Sequence, residues 1–171
     1  MYTIKNLEQE KGIIKIKQIV DEVMFCFFCT SPEIQNQPNA TVMTAQDVDD
    51  DGNIWFFSGK DSQRNHDIAL NKNINLYFSS PEKDTYLSIN AEAAVVYDNA
   101  MIEKLWNPIL KIWFKDGIED QNISLIKVAI NEASYWDSND GKMVNFFKML
   151  AAVITGIDNT DSVHGSINLN P

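Results

Sequence analysis

The sequence predicts a mainly β fold, an antiparallel barrel with flanking helices. Three observations carry this. Five or six short runs rich in β-formers follow one another along the chain, tight-turn signals separate them, and few helical patterns intervene. Strands in that order do not alternate with helices, as βαβ units require, so an antiparallel sheet closing on itself is the architecture that fits. No internal repeat or linker divides the 171 residues. One domain over residues 1–156 is therefore expected, followed by an exposed, poorly ordered tail over 157–171.

Residues 4–21 carry an imperfect helical stripe, Leu7, Ile13, Ile16, Ile19 and Val20, interrupted by Gly12, with Lys5, Lys11, Lys15 and Lys17 on the solvated side. Val23–Thr30 is the first strand. Thr41–Asp47 and Ile54–Ser58 are the next two, joined by the turn Asp49-Asp50-Asp51-Gly52-Asn53. That acidic run suits a solvated turn rather than a calcium loop, because no bidentate Glu follows at loop spacing. Asp61-Ser62 caps a short helix, Gln63–Asn71. Strands at Ile74–Ser79 and Thr85–Val96 flank a turn at residues 80–84, and a helical patch spans Ala100–Phe114 up to Lys115-Asp116-Gly117. Ser124–Trp136 returns to strand. Lys142–Thr155 reads as an amphipathic helix through Val144, Phe147, Leu150, Ala151 and Ile154.

Charge narrows the functional classes. Fourteen Lys+Arg against twenty-four Asp+Glu leave a net charge of −10, which disfavours nucleic acid and anionic membrane as partners. A small anion in a local basic pocket stays open. No apolar run approaches the roughly 20 residues needed to cross a bilayer, and the N-terminus lacks a signal core, so a cytoplasmic location is expected. Cys26 and Cys29 have C-x-x-C spacing, but on a strand residues three apart point to opposite faces. With no second such pair and only two histidines, His66 and His164, no metal site is expected. Dinucleotide, phosphate-loop and nucleophile-elbow signatures are missing. No catalytic side chain is assigned, and a cofactor would have to carry any redox chemistry.

The most suggestive stretch is Phe56-Phe57-Ser58-Gly59-Lys60-Asp61-Ser62-Gln63-Arg64. It runs from a strand end into a helix start, where free backbone N–H groups and the helix dipole favour negative charge. Ser58 and Ser62 add hydroxyls, and Lys60 and Arg64 add positive charge. A phosphate monoester suits these donors. An ordinary capped helix with surface basic residues has the same pattern.

Several separate motifs, in order, carry a resemblance. They are Gly52-Asn53-Ile54-Trp55-Phe56-Phe57-Ser58, Asp61-Ser62, Asn73-Ile74-Asn75-Leu76, Tyr86-Leu87-Ser88-Ile89, Leu105-Trp106-Asn107-Pro108, Trp113-Phe114-Lys115-Asp116-Gly117, Tyr135-Trp136-Asp137-Ser138 and Gly141-Lys142-Met143-Val144. Over residues 5–156 the chain resembles the general stress protein 26 group of the pyridoxamine 5′-phosphate oxidase-like, FMN-binding split barrels.

The resemblance implies a split-barrel homodimer with FMN in clefts between the subunits. The strand Asn39-Ala40-Thr41-Val42-Met43 would run beside the isoalloxazine and ribityl chain. Trp55, Phe56, Phe57 and Ser58, with Ser62 and Arg64, would take the remaining ribityl and phosphate contacts. Trp136 would approach the flavin from the partner subunit, with core or dimer packing as its alternative role. Arg64 stands where the family often has Lys. One departure matters: Thr41-Val42-Met43 replaces the family's usual Arg-Pro-Met, removing a phosphate partner that Lys60 is the candidate to replace. The implied function is an FMN-binding oxidoreductase exchanging electrons with a small molecule. The alternative is a non-catalytic flavin-binding or stress-response module. Pyridoxamine phosphate oxidation itself is not implied, because the general stress group does not share that enzyme's substrate-binding residues.

Overall fold

The computed structural model describes residues 3–4, 7–32, 38–138 and 162–168. Two short strands, β1 (Thr3–Ile4) and β2 (Leu7–Glu8), precede helix α1 (Gln9–Val23). Then follow β3 (Phe25–Thr30), β4 (Asn39–Thr44), β5 (Asp47–Val48), β6 (Ile54–Gly59), α2 (Gln63–Leu70), β7 (Asn73–Ser80) and β8 (Thr85–Val96). The chain continues through α3 (Asn99–Leu105), two 3₁₀ turns at Pro108–Ile112 and Gly117–Glu119, β9 (Ile123–Ser138) and β10 (Ser162–Asn168).

The sheet curls through antiparallel pairs β4–β3–β7–β8–β9. The first half of β9 also pairs with β6, and β6 pairs with β5. Only Ala45 and Gln46 separate β4 from β5. The Gln46 amide donates to Trp55 O at 2.8 Å and the Ala45 amide to Met24 O at 2.9 Å, so backbone bonding carries the wall round to its start. Phe28, Phe56, Phe78, Leu76, Leu87, Ile89 and Ile126 fill the interior, and Ile16, Ile19 and Val20 of α1 join them. A second apolar layer lies outside β6 and β9. There Trp55, Phe57, Ile123 and Leu125 pack under Ile102 of α3 and under Leu110 and Phe114.

Most expected elements form, with instructive differences. The first helix begins at Gln9 rather than residue 4, because residues 3–4 and 7–8 pair in parallel with β10. The patch 100–114 is split: Pro108 lacks the N–H that would extend α3 and instead opens a 3₁₀ turn capped by Asn107 Oδ1, which accepts from the Ile109 amide at 3.1 Å. The C-terminal expectation is corrected over residues 162–168, which form a strand antiparallel to β9 with Ile167 fully buried. The alternation of Gly165 and Ile167 with polar neighbours supplies the buried face. The expected helix at 142–155 lies outside the described residues.

β9 also departs from simple alternation. Ile126, Val128 and Ile130 face the interior, yet after a bulge opposite Asn90 and Ala91 the inward residues are Ala133 and Tyr135. Asn131 is the additional residue, and it moves Trp136 to the outer face, where its side chain is 46% exposed.

Cys26 points into the core and Cys29 is half-buried on the opposite side of β3, matching the strand geometry. Burial pushes the Cys26 thiol up to about 12. A thiol reagent at pH 8 is therefore expected to leave Cys26 unmodified in the native protein and to label it only after denaturation. Labelling of Cys26 at the same rate in both states would contradict this.

Candidate functional site

The site grows from the β6–α2 junction. Ser62 is the N-cap of α2, in extended backbone, and its Oγ accepts from the Asn65 amide at 3.2 Å. Ser62 O accepts from the His66 amide. Among the described residues this leaves the Gln63 and Arg64 amides of the first turn without a protein acceptor. A helix start in that condition attracts an anion. Behind it lies a buried polar strut. Ser58 Oγ and Ser62 Oγ share a hydrogen bond at 3.0 Å, Ser124 Oγ donates to Ser58 O at 2.9 Å, and Asn65 Nδ2 donates to Ser124 Oγ at 3.0 Å. Three elements, β6, α2 and β9, are locked together.

Arg64 reaches from α2 to β4. Its Nη1 donates to Thr41 Oγ1 at 2.8 Å, and its guanidinium sits 5.9 Å from the centre of the Phe28 ring. Its Nε is buried and has no hydrogen-bond partner. Burial lowers the Arg64 pKa, while Cys26 and Asp67 oppose that shift; arginine stays charged regardless.

Asp67, one turn further along α2 and 1% exposed, is a hub. Its Oδ2 accepts from Thr30 Oγ1 at 2.6 Å and from Asn39 Nδ2 at 2.9 Å, and its Oδ1 accepts from Gln63 Nε2 at 2.9 Å. One carboxylate thus joins the end of β3, the start of β4 and the first turn of α2. Burial pushes its pKa up, but hydrogen bonds from Thr30, Asn39 and Gln63 outweigh that and hold it below the ordinary value. Nothing in the sequence singled out Asp67. Its only sequence signal is a charged residue at an otherwise buried helix position, followed directly by buried Ile68.

The structure sorts the residues expected at the site. Thr41 and Arg64 meet, and Ser58 and Ser62 meet. Asn39 turns its amide to Asp67. Ala40 and Val42 are exposed on β4, which pairs only with β3 among the described strands, while Met43 points inward. Phe56 is a core residue in an edge contact with Phe28, and Trp55 and Phe57 are buried beneath the α3 layer. These three side chains are closed off from a ligand, so only their backbone is available to one. Lys60 goes elsewhere: its Nζ lies 5.5 Å from the Tyr97 ring centre. It borders a hollow of about 230 Å³ with Asn99, Ile102, Glu103, Glu119 and Asp120. Trp136 lies beside Tyr86 on the outer face, four strands from β4.

The acidic turn before β6 is structural. Asp49 accepts from the Asn53 amide, Asn53 Nδ2 and Trp55 Nε1, at 2.8–3.1 Å. No group of three or more His, Cys, Asp or Glu is placed to hold a metal among the described residues. No helix described is long and apolar enough to cross a membrane.

A curled antiparallel sheet with a helix start beside an open edge strand belongs to the split β-barrel class. The match to known proteins agrees. Residues 11–160 match the family model described as pyridoxamine 5′-phosphate oxidase like, and the chain belongs to that family. The chain is similar to a general stress FMN/FAD binding protein from Xanthomonas citri, with 25% identity, 78% of this chain and 93% of that one covered, and a TM-score of 0.66. It also shares its fold with general stress protein 26 from Bacillus anthracis, at 21% identity over 70% of this chain and 92% of that one, TM-score 0.61. Among curated proteins it is 27% identical over 111 residues to protein bli-3 of Neurospora crassa, covering 60% of this chain. The match takes in about half, 53%, of that protein's length.

Proposed function

We propose that this chain is an FMN-binding flavoprotein of the general stress type. It acts as a homodimer in the cytoplasm and passes electrons to or from a small molecule. The observation that carries the reading is the buried, unpartnered Arg64 Nε beside the open first turn of α2. Together they form a cationic cradle that suits one phosphate group, in a protein whose net charge is −10. Bound flavin would supply the redox chemistry, and the chain's own residues would bind and orient it. Family membership and the flavin-binding Xanthomonas relative support the cofactor class.

The outer sheet face supports a second copy as partner. Phe25, Phe27, Val42, Tyr77, Tyr86 and Trp136 are all exposed there. Phe27 lies in register with both Val42 and Tyr77, and Tyr86 with Trp136. Apolar side chains in continuous rows are what a protein interface covers.

A non-catalytic flavin-binding module is the second reading, and one observation favours it. The titratable groups around Arg64 are a carboxylate held low, Asp67, and a thiol held near 12, Cys26. Neither is poised to move a proton at neutral pH.

Purified protein is expected to take up FMN with a shift in flavin absorbance and to run at twice the monomer mass. Failure to bind FMN, FAD or F420 would reject the flavin reading. Bleaching of bound FMN by NADH or NADPH separates the oxidoreductase from the inert module.

A further inference from the structure

We infer that Thr41 is a positioning residue for anion recognition: its hydroxyl holds Arg64 Nη1 and so presents the opposite, side-on edge of the guanidinium to a phosphate group. This rests on the flavin reading above and specifies how its phosphate end is recognised.

A guanidinium offers two forks. One uses the two terminal nitrogens, and the other uses Nε together with Nη2. In this protein Nη1 already donates to Thr41 Oγ1 at 2.8 Å. Nε is buried without a partner, and Nη2 makes no hydrogen bond among the described residues. Nε and Nη2 thus carry the two parallel N–H groups that no described protein acceptor engages, spaced for two oxygens of one phosphate.

Two neighbours keep the guanidinium from closing on something else. Asp67, the nearby carboxylate, already accepts from Thr30, Asn39 and Gln63 and makes no hydrogen bond to Arg64. The Phe28 ring under the guanidinium offers a face but no hydrogen-bond acceptor. Thr41 is thus the one described group that sets the rotation of the fork. Its side chain sits on the edge strand β4, 23 positions from Arg64 in sequence.

The test compares wild type, Thr41→Val and Thr41→Ser against FMN, riboflavin and inorganic phosphate. Valine keeps the shape and the strand preference of an exposed β4 position, so folding is checked by an unchanged melting temperature. Thr41→Val is expected to weaken FMN about tenfold, the loss of one hydrogen bond that orders a charged donor, and to leave riboflavin within about twofold. Thr41→Ser is expected to restore the wild-type ratio of FMN to riboflavin affinity. Equal FMN affinity in wild type and Thr41→Val would overturn the inference, as would equal losses for FMN and riboflavin. If wild type binds phosphate but no flavin, the flavin reading fails alone. The inference then stands or falls on whether Thr41→Val weakens phosphate. Binding of neither rejects both.

Discussion

Replacing Asp67 with alanine is expected to lower the unfolding free energy by about 3 kcal/mol, a large part of the 5–15 kcal/mol that holds a typical domain. The reason is the asymmetry of buried hydrogen bonds. The carboxylate is 1% exposed, and its loss strands buried Thr30 Oγ1 without an acceptor and removes two more bonds, from Asn39 Nδ2 and Gln63 Nε2. Asp67→Asn keeps the shape but turns one acceptor oxygen into a donor facing other donors, so a smaller loss is expected. The pH dependence has a definite sign. The folded carboxyl lies below its ordinary value of 3.8, so its stabilisation is complete above about pH 5 and disappears as pH falls through the folded value. Urea unfolding at pH 7 and at successively lower pH provides the measurement. Asp67→Asn should lose less stability than wild type between pH 5 and pH 3. Identical slopes for the two proteins would show that another carboxylate governs acid sensitivity.

Arg64→Ala is expected to weaken FMN by about 1.5–3 kcal/mol, roughly tenfold to a hundredfold, while riboflavin affinity changes little. The charge-assisted contact goes to the phosphate, and riboflavin lacks one. Stability should respond in the opposite sense from the Asp67 variants. The guanidinium is half-buried, with an exposed hydrogen bond to Thr41 and a buried, unpartnered Nε. Its removal relieves that unsatisfied buried N–H. The melting temperature of the flavin-free protein should therefore hold or rise. Arg64→Lys keeps the charge and loses the fork, so its FMN affinity should fall between those of wild type and alanine. Equal losses for FMN and riboflavin in Arg64→Ala would place the phosphate elsewhere.

The positions of most strands were legible because each needs only local signals. The Asp49–Asn53 turn, the alternation of Thr85–Val96 and the Ser62 cap all operate within a few residues. The start of α2 at Gln63 was legible from its Ser62 cap for the same reason. Other site assignments were less so. The resemblance gives Trp55, Phe56 and Phe57 ribityl and phosphate contacts, yet β6 is covered on both faces, by the barrel interior and by α3 with its 3₁₀ turns. A run of consecutive apolar residues signals burial on both sides but does not name the covering layers. Lys60 read as a phosphate partner and instead lies over Tyr97, because the chain turns between Gly59 and Ser62. Trp136 owes its outward position to a bulge that adds one residue to β9.

By itself, the sequence determined an antiparallel barrel, its family, and the Ser62-capped helix start in an acidic protein. Tertiary structure alone decided which side chains meet there. It brought Thr41 to Arg64 across 23 positions and drew Asn39 to Asp67 across 28. It also turned residues 162–168 from an expected tail into a paired strand. The division has a physical cause. Backbone propensity, capping and alternation are set by neighbours in the chain. Hydrogen-bond partners in a closed site are set by which distant donors and acceptors are left over once the core has packed.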